Sequence, residues 1–134
     1  MPDKVAVVLG SASDDALGVY TCNILSGYEI EFEKFIISAH RDPERLDEFC
    51  KTANDKFGVV IAIAGLSAAL PGVIASRIKI PVIGVPADVG PLNGIDALLS
   101  IVQMPSGIPV ACMGIGSSGA KNAAHFAARI IGEI

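Results

Sequence analysis

Tryptophan is absent from this 134-residue chain, and all aromatic residues together make up only 5% of it. A net charge of −4 argues against nucleic acid as the main partner and leaves room only for a local basic spot for phosphate. Charged residues amount to 18%, fewer than a soluble monomer usually carries. Apolar runs are short and broken by glycine, proline or charge; none reaches the ~20 residues of a membrane span. The start, Met1-Pro2-Asp3-Lys4, enters an apolar segment at once and lacks the layout of a signal peptide. Cys22, Cys50 and Cys112 are odd in number and far apart, with no Cys-x-x-Cys pair. Reduced thiols in the core of a cytoplasmic protein are expected rather than disulfides. Neither His-x-x-x-His nor Glu-x-x-His spacing occurs, so no metal centre is expected.

What the chain does have is small apolar residues. Hydrophobic residues reach 51%, with alanine and isoleucine prominent and 14 glycines besides. That excess implies tight helix packing and buried contacts between subunits, hence a homo-oligomer. The length fits one domain spanning 1–134.

Strand and helix signals alternate throughout. Val5–Leu9 is a continuous apolar run of the buried-strand kind. Ser11 or Ser13 can cap a following helix that runs to about Leu25 and ends at Ser26-Gly27. Glu31–Ile37 predicts a second strand, half exposed at an edge. Pro43 opens a helix to Lys56, with Leu46, Phe49, Cys50 and Ala53 as its inner stripe. Val59–Ala64 is a third strand, Leu70–Ile78 a short helix, and Ile80–Val85 a fourth strand stopped by Pro86. A loop over 87–95, a helix over Asp96–Gln103, a strand over Pro109–Met113 and a helix over Ser117–Ile131 complete the chain. This alternation predicts an α/β protein: a parallel five-stranded sheet in a three-layer α/β/α sandwich, flavodoxin-like or Rossmann-like.

Open α/β sheets bind ligands at the carboxyl ends of their strands, and two turns there carry chemistry. Gly10-Ser11-Ala12-Ser13-Asp14 follows the first strand with serine hydroxyls and free backbone N–H groups suited to an anion. It has neither Gly-x-Gly-x-x-Gly nor Gly-Lys-Ser/Thr, so a dinucleotide site and a P-loop are both demoted. Asp14 is placed to accept hydrogen bonds from ribose hydroxyls; plain helix capping explains the serines equally well. Ser38-Ala39-His40-Arg41 follows the second strand and precedes a helix-opening proline. Arginine offers a planar fork for phosphate and histidine a proton shuttle near neutral pH, against the plainer alternative of a solvated pair at a helix start. The small-residue turn from Gly65 to Gly72 admits close approach of a ligand or of a helix. Asn93-Gly94, Gln103-Met104-Pro105 and Gly114–Gly119 read as chain-turning loops. His125, within Ala123-Ala124-His125-Phe126, is expected to be structural or interfacial. Glu44, Asp47 and Glu48 read as a solvated helix face.

Six ordered motifs make a resemblance specific: Gly-Ser-Ala-Ser-Asp (10–14), Ser-Ala-His-Arg (38–41), Leu-Pro-Gly (70–72), Pro-Val-Ile-Gly-Val-Pro (81–86), the Gln-Met-Pro-containing segment 98–110, and Asn-Ala-Ala (122–124). Together they resemble the phosphoribosylaminoimidazole carboxylase catalytic-subunit family of purine biosynthesis, which includes the N5-carboxyaminoimidazole ribonucleotide mutases. The resemblance implies a three-layer protomer, typically a homo-octamer, using no cofactor or metal and acting on a ribonucleotide and CO2. By position, Ser11 and Arg41 would bind the 5′-phosphate region and Asp14 the ribose. Ser13 and Ser38 would add polar contacts, while Gly65, Ser67 and Leu70 would line the substrate pocket. His40 would be the general acid/base that moves a carboxyl group from nitrogen to the ring carbon.

Two departures stand out. Mutases of bacterial type usually read Gly-Gly-Ala-Ala-His where this chain has Gly65-Leu66-Ser67-Ala68-Ala69, so the second pocket histidine is replaced by Ala69. Relatives also usually continue into a further helix beyond the one holding Asn122, whereas this sequence closes at Ile134, so an altered assembly is expected. The competing readings are a carboxylase using free CO2 on the same scaffold, a carboxylase-like enzyme for another aromatic nucleotide, and a non-catalytic nucleotide-binding module.

Overall fold

The computed structural model describes residues 2–132, so the expectations placed on the two ends of the chain lie outside the described residues. Five parallel strands form one sheet: β1 (Val5–Leu9), β2 (Phe32–Ile36), β3 (Val59–Ala64), β4 (Val82–Pro86) and β5 (Ala111–Cys112), in the order β2-β1-β3-β4-β5. That order is the flavodoxin-like one of the two open-sheet alternatives. The helices are α1 (Asp15–Gly27), α2 (Pro43–Lys56), α3 (Leu70–Ala75), α4 (Ile95–Val102) and α5 (Gly116–Ile131).

Alternate residues of the central strands face opposite layers, as the strand period of two requires. Val7, Leu9, Ile61, Ile63 and Val85 pack with Cys22 and Leu25 of α1 and with the alanine face of α5. Ala6, Val8, Val60 and Ala62 face the other way, against Leu46 and Phe49 of α2, Ile74 of α3 and Ile101 of α4. Small residues let the helices approach closely, as expected from the alanine excess. At Gly84 on β4, a Cβ would lie 2.6 Å from Ile101 Cγ2 and 3.1 Å from Pro71 Cβ. The buried hydroxyl of Thr21 on α1 donates to the Ala120 carbonyl of α5 at 2.8 Å, which satisfies the polar atom in that layer. Cys22 and Cys50 are buried and Cys112 half-buried; all three are unpaired thiols.

Several boundaries differ from those the sequence predicts. The first helix is preceded by a separate 3-10 turn, Ala12–Asp14, capped by Ser11. Helix α3 stops at Ala75 because the Ser76 hydroxyl bonds the Val73 carbonyl at 2.7 Å and Arg77 N–H turns to Ile74 O, tightening the last turn. Strand β5 keeps only Ala111 and Cys112, paired with Ile83 and Gly84; at its predicted start Pro109 brings no N–H to the ladder. Pro86 ends β4 from within: it pairs with Ala64 by position. Among the described residues no helix is long and apolar enough to cross a membrane.

Ile61 lies at 0% exposure in the middle of β3, so the fold rests heavily on it. Ile61→Ala should cost about 2–5 kcal/mol, seen as a lower urea midpoint with the slope of the transition unchanged.

Candidate active site

Register decides where the functional turns meet. Leu9 pairs with both Ile36 and Ile63, and Ile63 with Val85, so four strands end at one level. The chain reverses its direction of travel across the sheet between β1 and β3, and ligand crevices form at such switch points.

The first turn leaves β1 through Gly10, whose N–H donates to Ile63 O at 2.9 Å. Ser11 is extended, and its Oγ accepts from Ser13 N–H at 3.2 Å and lies 2.9 Å from Ser13 Oγ. The turn thus arrays two hydroxyls at its mouth and drops Asp14 behind them. Asp14 is only 6% exposed. Burial pushes its carboxyl above the usual carboxylate range, and a backbone hydrogen bond from Ser11 offsets part of that rise. Among the described residues no ion pair engages Asp14.

The second turn continues from β2, with Ile37 N–H still donating to Leu9 O. Ser38 then closes the loop on itself. Its Oγ accepts from Arg41 N–H at 3.1 Å, its carbonyl accepts from Asp42 N–H at 2.9 Å, and its N–H donates to Asp42 Oδ2 at 3.4 Å. Pro43 starts α2 immediately afterwards, as the sequence predicts. His40 and Arg41 stand at the tip of this brace, both exposed to solvent. No ion pair among the described residues engages Arg41.

The third turn leaves β3 at Ala64. Leu66 adopts φ 56°, and Ala68 N–H folds back to Leu66 O at 2.8 Å. Ala69 then precedes α3 without a side-chain cap. The loop after β4 contributes Val89.

These segments enclose a cleft of about 500 Å³. All the residues singled out from sequence line it: Ser11, Ser13 and Asp14 from the first turn, Ser38, His40 and Arg41 from the second, and Gly65, Ser67 and Leu70 from the third. The cleft is two-faced. Hydroxyls, a carboxyl, an imidazole and a guanidinium come from the first two turns, whereas the third turn and Val89 are apolar apart from Ser67. From sequence, Leu66 enters only as part of the turn that departs from Gly-Gly-Ala-Ala-His, and Val89 only within the 87–95 loop; neither is singled out as a lining residue.

Other segments stay apart. The loops at 93–94, 103–105 and 114–119 do not line the cleft. His125 bonds Tyr28 Oη through Nδ1 at 2.7 Å, on the outside of α5. Glu44, Asp47 and Glu48 are exposed on α2, with Asp47 paired to Arg77. Among the described residues no three His, Cys, Asp or Glu side chains cluster to hold a metal ion.

Comparison with known proteins agrees with this architecture. A family model described as AIR carboxylase matches residues 4–133. An N5-carboxyaminoimidazole ribonucleotide mutase of Pyrococcus abyssi is 51% identical over 129 residues, covering 96% of this chain and 73% of the relative. Its namesake in Bacillus subtilis is 46% identical over 132 residues, covering 98% and 82%. Among solved structures, Treponema denticola PurE superposes with a TM-score of 0.83 at 34% identity, over 95% of this chain and 78% of that one. With the match spanning nearly the whole sequence, the chain belongs to the AIR carboxylase family.

Proposed function

We propose that this protein converts N5-carboxyaminoimidazole ribonucleotide to 4-carboxyaminoimidazole ribonucleotide in de novo purine biosynthesis, with His40 as general acid/base. The observation that carries this reading is the convergence of His40, Arg41, Ser11, Ser13 and Asp14 on one cleft at the switch point. The names of the curated relatives support it.

Each residue's role follows from its chemistry. Arg41 and Ser11 hold the 5′-phosphate, the guanidinium by a fork that matches phosphate oxygens. Asp14 accepts from the ribose hydroxyls, and Ser13 and Ser38 add polar contacts. Gly65, Ser67 and Leu70 line the region of the base. With the nucleotide so fixed, the carbamate N–C bond breaks as His40 gives a proton to the amino nitrogen, freeing CO2. Ring carbon C4 then donates an electron pair to that CO2, and its proton returns to His40. One imidazole donates and then accepts within a single turnover. Holding CO2 against C4 turns a bimolecular addition into a local one. The scheme uses no cofactor and no metal.

We further propose a cytoplasmic homo-oligomer, the octamer that the family resemblance implies. Free thiols fit a reducing compartment. Helix α4 buries Ala97 and Ile101 yet exposes Ile95, Leu99 and Val102 on its other side, an apolar stripe at helical spacing that a second copy would cover.

Spectrophotometric turnover of N5-carboxyaminoimidazole ribonucleotide, set against aminoimidazole ribonucleotide with bicarbonate, tests the reaction. Turnover of the carbamate is expected; turnover of the second substrate pair alone would make the protein a CO2-dependent carboxylase, and binding without either reaction would make it a binding module. His40→Asn should lower kcat by roughly 10²–10⁴ while leaving substrate affinity within several-fold, measured by calorimetry.

Asp14 links binding to stability. Its pKa is higher in the folded chain than unfolded, so the folded state keeps the proton to higher pH. Stability therefore falls as pH rises from the unfolded value through the folded one, and the penalty is fully present above both. Asp14→Asn should raise the Tm of the ligand-free protein at pH 7, with the gain vanishing below pH ~4. The same change should weaken ribonucleotide binding roughly tenfold to a hundredfold, the worth of charged hydrogen bonds.

A further inference from the structure

Two loops on the apolar side of the cleft interlock by a reciprocal exchange of glycine and methyl groups. A Cβ at Gly65 would lie 2.6 Å from Val89 Cγ2, and a Cβ at Gly90 would lie 2.6 Å from Leu66 Cδ2. Each loop thus has a glycine where the other places a branched side chain, and the neighbouring residue supplies the side chain in return. The hydrogen bond from Ala87 N–H to Ala64 O at 3.0 Å holds the two loops together at their roots.

Local stability does not account for this clasp. Leu66 sits at φ 56°, in the left-handed region that leucine rarely occupies and glycine occupies freely. Burial in the core does not compensate either, because Leu66 is 52% and Val89 42% exposed. Strain held by an exposed apolar residue at the rim of a cleft points to function. The turn carries its bulk at Leu66 and leaves Ala69 small, the reverse of a Gly-Gly-Ala-Ala-His turn.

We propose that the Leu66–Val89 clasp is the wall that retains CO2 between its release and its recapture, so that it sets the partition between carboxyl transfer and loss to solvent. The proposal rests on the mutase reading above. Free CO2 is neutral and has no net dipole, so hydrogen-bonding groups on the polar side of the cleft hold it weakly. An apolar wall opposite them excludes the water into which it would escape. The step balances within the cleft. The carbamate N–C bond breaks with its electron pair left on nitrogen, which takes the proton of protonated His40. The new C–C bond takes its pair from C4, and the C4 proton restores protonated His40. Carbon dioxide is the one species free to leave, and the clasp acts on it alone.

Label exchange tests this. The protein turns over unlabelled N5-carboxyaminoimidazole ribonucleotide in buffer containing ¹³C-bicarbonate, and mass spectrometry reads the ¹³C content of the product carboxylate. Little label is expected with the unaltered protein. Leu66→Gly and Val89→Ala should each raise label incorporation about fivefold and lower kcat, because water enters where the wall was, whereas Leu66→Met should retain the carboxyl group. Glycine suits the backbone at position 66, so Leu66→Gly should melt no lower than the unaltered protein, separating exchange from unfolding. Unchanged label in both wall variants, with turnover intact, would overturn the clasp while leaving the mutase standing. Absence of carbamate turnover by the unaltered protein would overturn the mutase reading and this proposal with it.

Discussion

Parallel strands that end at one level force their following turns into one another's company, and the functional cleft depends on that constraint. Leu9 is in register with Ile36 on one side and Ile63 on the other. The turns at 10–14, 38–42 and 65–69 then leave the sheet side by side, although they are far apart in the chain. A slip of one residue in any pairing would turn the alternating faces of β1 or β3 inside out, exposing Val7 or Ile61 to the wrong layer. The core therefore fixes the register, and the register fixes the site. Side chains that never touch a substrate decide that His40 and Asp14 share a cleft.

The three turns solve different local problems. In Gly10–Asp14 the Ser11 hydroxyl caps Ser13 N–H and pairs with the Ser13 hydroxyl, so the two oxygens converge in front of the buried Asp14 carboxyl. Ser38–Asp42 ties its main chain with three hydrogen bonds and leaves its two functional side chains loose. A braced main chain under an exposed imidazole suits the acid/base role proposed for His40. The third turn brings no cation and only Ser67 as a polar side chain, and its backbone is strained at Leu66. The polar and the apolar linings of the cleft thus come from turns after different strands, so one can change without rebuilding the other.

Sequence patterns made most of this legible where one physical cause dominated. Val5–Leu9 and Val59–Ala64 are buried on both faces, so continuous apolar runs marked both ends without ambiguity. Helix α2 was bounded by Pro43 and by the end of the Leu46–Ala53 stripe. Boundaries slipped where a side chain competed with the backbone, as at Ser76, or where proline lacked a donor, as at Pro109. In the site, His40 and Arg41 were visible because an imidazole and a phosphate-matched fork stand together between a strand and a helix-opening proline, and Ser11 and Ser13 because two hydroxyls follow another strand. The clasp was not. Leu66 and Val89 are ordinary apolar residues in separate loops, and only the fold places each against the other's neighbouring glycine. The positive φ at Leu66 also contradicts its local preference, so no propensity would have suggested it.

The apolar stripe on α4 bears on the clasp through connectivity. Val89 belongs to the loop that leads directly into Ile95, where α4 begins, and Leu92 of that loop is 55% exposed. Covering Leu92, Ile95 and Leu99 with a second copy would remove water from the outer side of the same loop whose inner side closes the cleft. Ordering such a loop costs on the order of 1–2 kcal/mol of backbone entropy per residue, and an interface that meets this cost in advance leaves less for the substrate to supply. If α4 pairs as proposed, its exposed face and the proposed retaining wall are two sides of one element, and assembly should tighten carboxyl retention.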